Sequence, residues 1–254
     1  MAVKVFWFGT GNMYFIPPAV SPAVPTPVKC GVLQEGSVEF AFTSKQVFGQ
    51  NQFAEANFRA QGKITGKSKM ASLNMAVIAG FFGSYTPATG QILPAINEAH
   101  SVPVVSTYIV TITPPASGTF NKNLGVVYAA TGIPLTRVAA GSEALGAYSV
   151  NETTGVYTFA AADEGAAVLI DYLYTVSTVG QTLTVTNQLA GLAPTFMCVL
   201  DNITGTAGAV LILNNCMSEK LTLATKVGDV AIPEFDFIAA ADQAENIGIL
   251  SLPY

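Results

Sequence analysis

Apolar and polar residues alternate with a period of two along much of this chain, the pattern of strands with one buried face. Val38, Phe40 and Phe42 alternate with Glu39, Ala41 and Thr43, which predicts a strand over 37–44 with one buried face. Tyr108, Val110 and Ile112 alternate in the same way near the end of a strand predicted over 102–113. Two alternating runs around a Gly-containing turn, from Tyr148 to Phe159, predict a β-hairpin. Further strands are predicted near 3–8, 13–16, 28–32, 62–69, 124–129, 135–139, 166–174, 181–187, 194–200, 209–213, 221–225 and 234–238. The Asn/Gln-rich stretch 48–58 reads as a loop or an irregular hairpin. The period changes once. Leu73, Val77 and Phe81 recur at helical spacing within 71–82, and Gly83 is placed to stop that helix.

These elements predict a mainly β chain, with a sandwich or barrel core and one flanking helix. Five prolines between Pro17 and Pro27 remove ladder donors and predict an extended arm. From Phe120 to Val176 the strands become short, with Gly turns between them. That change in texture predicts a small β module at 116–179, inserted into a core made of 1–115 and 180–254.

Composition adds a reason to assemble. Charged residues are 11% of the 254 and apolar residues 50%. An average soluble domain carries roughly 25% charged residues. A surface this poor in charge has little to keep it monomeric, so burial against neighbours is expected. No apolar run reaches the roughly 18 residues of a membrane-spanning helix, and no membrane partner is expected. The prolines and long apolar runs fit poorly with a transmembrane barrel. Lys4 followed by Val5–Ile16 loosely resembles a leader, but Gly9–Asn12 and Pro17-Pro18 interrupt it.

Charge is divided along the chain. Residues 1–70 hold seven basic and three acidic residues; residues 126–254 hold three basic and twelve acidic. An acidic balance argues against tight nucleic-acid binding. Lys63, Lys67 and Lys69 share one face of a predicted strand, a candidate basic stripe. Asp229, Glu234, Asp236, Asp242 and Glu245 form a candidate acidic face; Glu234 and Asp236 project opposite Phe235 and Phe237.

Catalytic patterns are near misses, so no enzyme, cofactor or metal is expected. Gly62-Lys-Ile-Thr-Gly66-Lys67-Ser68 is one residue short of a phosphate-binding loop, so its amides would not close around a phosphate. Gly9-Thr-Gly11 lacks the third glycine of a dinucleotide site. His100, the single histidine, reads as a solvated loop residue. Cys30, Cys198 and Cys216 have no paired spacing and read as small buried side chains.

A series of motifs nevertheless has a recognisable order. Phe8-Gly-Thr-Gly-Asn12 precedes the Pro-rich arm, and Gly31-Val-Leu-Gln-Glu-Gly-Ser-Val-Glu-Phe40 follows it. Gln46–Phe53 and Gly62–Lys67 then lead into the helix. Ala193–Phe196, Lys220–Lys226 and Ile232–Phe237 close the series. This order resembles the tail tube proteins of long-tailed, non-contractile bacteriophages. Gly125–Tyr128 through Ile170–Tyr174 resembles a small β module found in phage virion proteins.

The resemblance implies a virion structural protein, made in the host bacterial cytoplasm. Six copies would form a ring, and rings would stack through the N-terminal arm and an extended hairpin loop. Other phage tail proteins would be its partners. DNA would pass through the lumen without specific binding, along an acidic or neutral lining. The acidic residues would line the lumen or an inter-ring face, with the lysine stripe pairing against them between rings. Two other readings stay open on the same residues: a capsid decoration or head protein, and a glycan- or receptor-binding β module using Trp7 and the tyrosines.

Overall fold

The computed structural model describes residues 9–18, 24–72, 74–83, 87–187, 189–191, 193–204, 207–225, 227–228 and 230–252. Among these residues the chain is mainly β, with one α-helix. In chain order the first elements are β1 (Asn12–Ile16), β2 (Val28–Lys29), β3 (Leu33–Phe48), β4 (Ala54–Met70), α1 (Met75–Phe81) and β5 (Ala88–Ser101). Next come β6 (Ile109–Thr111), β7 (Thr119–Tyr128), β8 (Thr136–Arg137), β9 (Ala147–Asn151), β10 (Val156–Phe159) and β11 (Ala167–Thr182). The last four are β12 (Thr195–Thr204), β13 (Ala207–Thr222), β14 (Glu234–Ala240) and β15 (Gly248–Ser251).

The chain divides into two compact units, residues 1–87 with 183–254, and residues 88–182. The first holds one sheet in the order β2-β1-β12-β13-β14-β4-β3, with β15 also paired to β13. This sheet curls until its ends approach. The Thr10 hydroxyl, just before β1, donates to the Leu33 carbonyl at the start of β3, 2.9 Å away. Three residues separate β2 from β3, so the chain itself bridges the two edges.

Alternation places Met13 and Phe15 of β1, Phe196 and Cys198 of β12, and Phe235 and Phe237 of β14 in one buried cluster. α1 packs on it through Val77 and Phe81. The Phe81 ring lies 4.8 Å from Phe235 and 5.9 Å from Phe15, centroid to centroid. The helix begins later than the spacing predicts. Asn74 caps it, accepting from the Ala76 amide at 3.0 Å. Ala71 and Ser72 instead bond back to Val32. Leu73 lies outside the described residues, and Gly83 ends the helix at φ +71°.

The second unit is two small sheets, β5-β11-β7 and β6-β10-β9-β8. Tyr148, Tyr157, Tyr172, Val168 and Ile170 fill the space between them. The Tyr148–Phe159 segment forms its hairpin as β9 and β10, turning at Gly155 with φ +68°. Asp163 is buried, and it accepts hydrogen bonds from the Tyr128 hydroxyl and the Gly146 amide. It ties the end of β7 to the turn before β9.

The second unit begins at residue 88, where the change in texture along the sequence places it at 116. The reason is β5, which the local pattern does not predict. Gly90, Pro94 and Asn97 interrupt its alternation, and Asn97 has φ +56° at an irregularity in the β5–β11 pairing. Tertiary pairing overrides that weak propensity: β5 runs beside β11 from Ala88↔Thr182 to Ser101↔Ala167. β6 is likewise only three residues long and pairs β10, so it too belongs to the second unit.

Candidate assembly surface

β3 and β4 form a hairpin far longer than the core they grow from. Their pairing runs from Leu33↔Met70 out to Phe48↔Ala54, so the Asn/Gln-rich stretch is its tip. Between Glu39 and Lys63 every residue is exposed except Ala54 and Ala56, which are half-buried. At the strand rise per residue the ribbon extends about 30 Å beyond the core.

This ribbon is not polar. Phe40, Phe42, Phe48, Phe53 and Phe58 are 48%, 53%, 59%, 81% and 60% exposed. The alternation of Val38, Phe40 and Phe42 predicts one buried face, yet only Val38 packs against the core. Arg59 covers part of Phe42, its guanidinium carbon 3.8 Å from the ring centroid. A two-stranded ribbon with no sheet or helix behind it is marginal in water, and exposed apolar patches of this kind mark contact surfaces.

The glycines of the phosphate-loop near miss lie inside β4, in register with neighbouring strands. They make room for rings. A Cβ at Gly66 would sit 2.0 Å from the Phe237 ring, and one at Gly62 would sit 3.2 Å from Phe42. Their amides belong to a sheet rather than to a loop that could wrap a phosphate.

The predicted charged stripes are neighbours within one chain. Glu234 pairs in register with Lys69 and Asp236 with Lys67, on adjacent strands β14 and β4. The Lys69 ammonium lies 2.7 Å from Glu35 and 3.7 Å from Glu234, and its pKa is raised, first by the hydrogen bond to Glu35. Lys63 lies 3.7 Å from Glu219. This face is therefore of mixed charge.

The remaining predicted acids are dispersed. Asp242 organises the turn between β14 and β15, accepting from the Ala244 and Asn246 amides and from Asn214 Nδ2, each at 2.9 Å. These bonds hold its pKa below the usual value, the Asn246 amide contributing most. Glu245 is exposed in the same turn at φ +61°. Asp229 lies outside the described residues, as do Trp7 and residues 19–23 of the Pro-rich arm. Among the described residues, no cluster of three or more potential metal ligands occurs.

His100 departs from its expected loop. It stands on β5, with Nε2 2.8 Å from Glu98 Oε1, and Glu98 also accepts from the Tyr172 hydroxyl at 2.5 Å. The missing signal was β5 itself.

Cys30, Cys198 and Cys216 are free and buried in the first unit. Burial pushes the Cys30 and Cys216 thiols up to about 12 and the Cys198 thiol well above its ordinary value. The unfolded chain therefore ionises first as pH rises, so these thiols oppose folding above pH 9. Stability is therefore expected to fall progressively as pH rises above 9. Urea unfolding at several pH values checks this. The triple cysteine-to-alanine variant should show a shallower alkaline decline, and equal slopes would contradict the assignment.

No protein-family model matches this chain, and no curated protein sequence matches it.

Proposed function

We propose that this chain is a structural subunit that assembles with copies of itself, and that the assembly is the tail tube of a long-tailed bacteriophage. The observation that carries the reading is the β3–β4 hairpin. Its phenylalanines stay in water while the chain is alone, and a neighbour would bury them. Low charge supports the same reading, because a chain with 11% charged residues has few charges to oppose association. The order of motifs from Phe8 to Phe237 supports the finer assignment, as does the curled β unit with a helix packed against it.

In this reading the chain is not an enzyme. Stacked rings, six copies in each, surround a bore that passes DNA without binding specific sequences. Copies of the chain and other tail proteins are its partners, and the virion is its place. The mixed-charge face of β14 and β4 offers a passing polyanion little net attraction.

A head or capsid-surface protein would form trimers or need a preformed shell. Negative-stain imaging of the purified full chain, over a range of concentrations, separates these. Six-fold rings or open tubes are expected. Monomers or trimers at every concentration overturn the tube.

A further inference from the structure

β14 pairs with β4 from Glu234↔Lys69 to Ala239↔Ile64. Beyond that point the chain leaves β4, turns around Asp242, and returns as β15 to pair with β13 from Leu213↔Gly248 to Val210↔Ser251. Among the described residues β15 has no partner strand on its other side. An open groove of about 560 Å³ lies there. Phe40, Phe42 and Ile64 line it from β3 and β4, with Leu213, Ile247 and Ile249 from β13, β15 and the residue before it. Arg59 and Lys63 also line it; Lys63 is paired with Glu219, so the groove's positive charge comes chiefly from Arg59.

We propose that this groove receives the β3–β4 hairpin tip of a second copy of this chain. The proposal rests on the self-assembling reading above and names the contact. Three features of the tip match the groove. It is apolar on both faces: the register puts Val47 and Phe58 on one side and Phe48 on the other, with Phe53 in the turn. From Gln46 to Phe58 its single charged residue is Glu55, opposite in sign to Arg59. Its size is sufficient. A buried aromatic side chain covers about 150–250 Å². Three phenylalanines and Val47, with matching area on the groove, reach the ~1,000 Å² of a specific interface.

The tip does not reach its own groove. Phe42 and Arg59 at the hairpin base line that groove, and the tip continues outward from them. Folding back would break the pairs from Ser44↔Arg59 to Val47↔Ala56. The contact therefore joins two different surfaces on successive copies. Such head-to-tail contacts propagate into rings or filaments and do not stop at a dimer.

Crosslinking of the full chain tests this. Phe53→Cys and Ile249→Cys place single accessible thiols at tip and groove, 81% and 60% exposed in wild type, while the three native thiols are buried. A mixture of the two variants, treated with a short bifunctional maleimide under assembling conditions, should give crosslinked dimers. A mixture of Phe53→Cys with Val227→Cys, another fully exposed site, should give at least tenfold fewer. Ile249→Asp should raise the concentration needed for assembly at least tenfold, with an unchanged circular-dichroism spectrum. Assembly without the tip–groove crosslink overturns this contact and leaves the assembly reading intact. A chain that stays monomeric at every concentration overturns both.

Discussion

Shortening the β3–β4 hairpin is expected to yield a folded monomer that no longer assembles. Gln46–Asn57 would be replaced by Asn-Gly, joining Lys45 to Phe58. These two residues already face each other in register, so a two-residue turn can close the ribbon. Little in the isolated chain depends on the removed segment. Its residues are exposed apart from two half-buried alanines, and none belongs to the core cluster. Single surface substitutions usually alter stability by less than about 0.5 kcal/mol, and this replacement removes no core side chain. Assembly should respond far more strongly. Phe48, Phe53 and Val47 are worth several kcal/mol when buried, at about 1.5–3 kcal/mol each. Loss of that much raises the assembling concentration by orders of magnitude. Sedimentation velocity and a thermal melt on the same sample check both parts. Assembly at the wild-type concentration would show that the hairpin is not the contact.

Phe235→Ala is expected to give the reverse result, a chain that fails before it can assemble. Phe235 is 1% exposed, with its ring 4.8 Å from Phe81 and 5.6 Å from Phe237. With Phe15 and Phe196 it is one of the rings that hold Phe81 of α1 to the sheet. Truncating a buried phenylalanine costs about 3–5 kcal/mol, from lost transfer energy and the cavity left behind. That is a large share of the 5–15 kcal/mol that keeps a typical domain folded. The loss should fall on the first unit. The second has its own cluster around Tyr157 and Tyr172, so calorimetry should show one transition lowered and another held. A uniform shift of both would mean the units do not unfold separately. Phe53→Ala serves as the control, since the same ring is removed from a site that is 81% exposed.

The contrast between these phenylalanines explains what local pattern can and cannot say. Phe235, Phe237, Phe40 and Phe42 all stand on alternating strands, and period two assigns each to an apolar face. The first pair is buried; the second is about half exposed. Alternation states which residues share a face, but it does not state what lies opposite.

Several features were legible because their causes are local. The β-rich character, the hairpin at 148–159, the stop at Gly83 and the common face of Lys63, Lys67 and Lys69 all follow from side-chain period and turn chemistry. The misfit of the glycine-rich segment as a phosphate loop was also visible in its spacing. Its actual purpose, space for the Phe237 and Phe42 rings, needed the neighbouring strands.

The tertiary structure decided everything that depends on a distant partner. β5 is a strand because β11 lies beside it, and that pairing moved the unit boundary and placed His100 against Glu98. Lys67 and Lys69 meet Asp236 and Glu234 because β4 and β14 are adjacent, although more than 160 residues of sequence lie between them. From its sequence alone the chain is β-rich, half apolar and poor in charge. Only the folded sheet could show where that apolar surplus goes, because strand order and register join residues far apart in the chain.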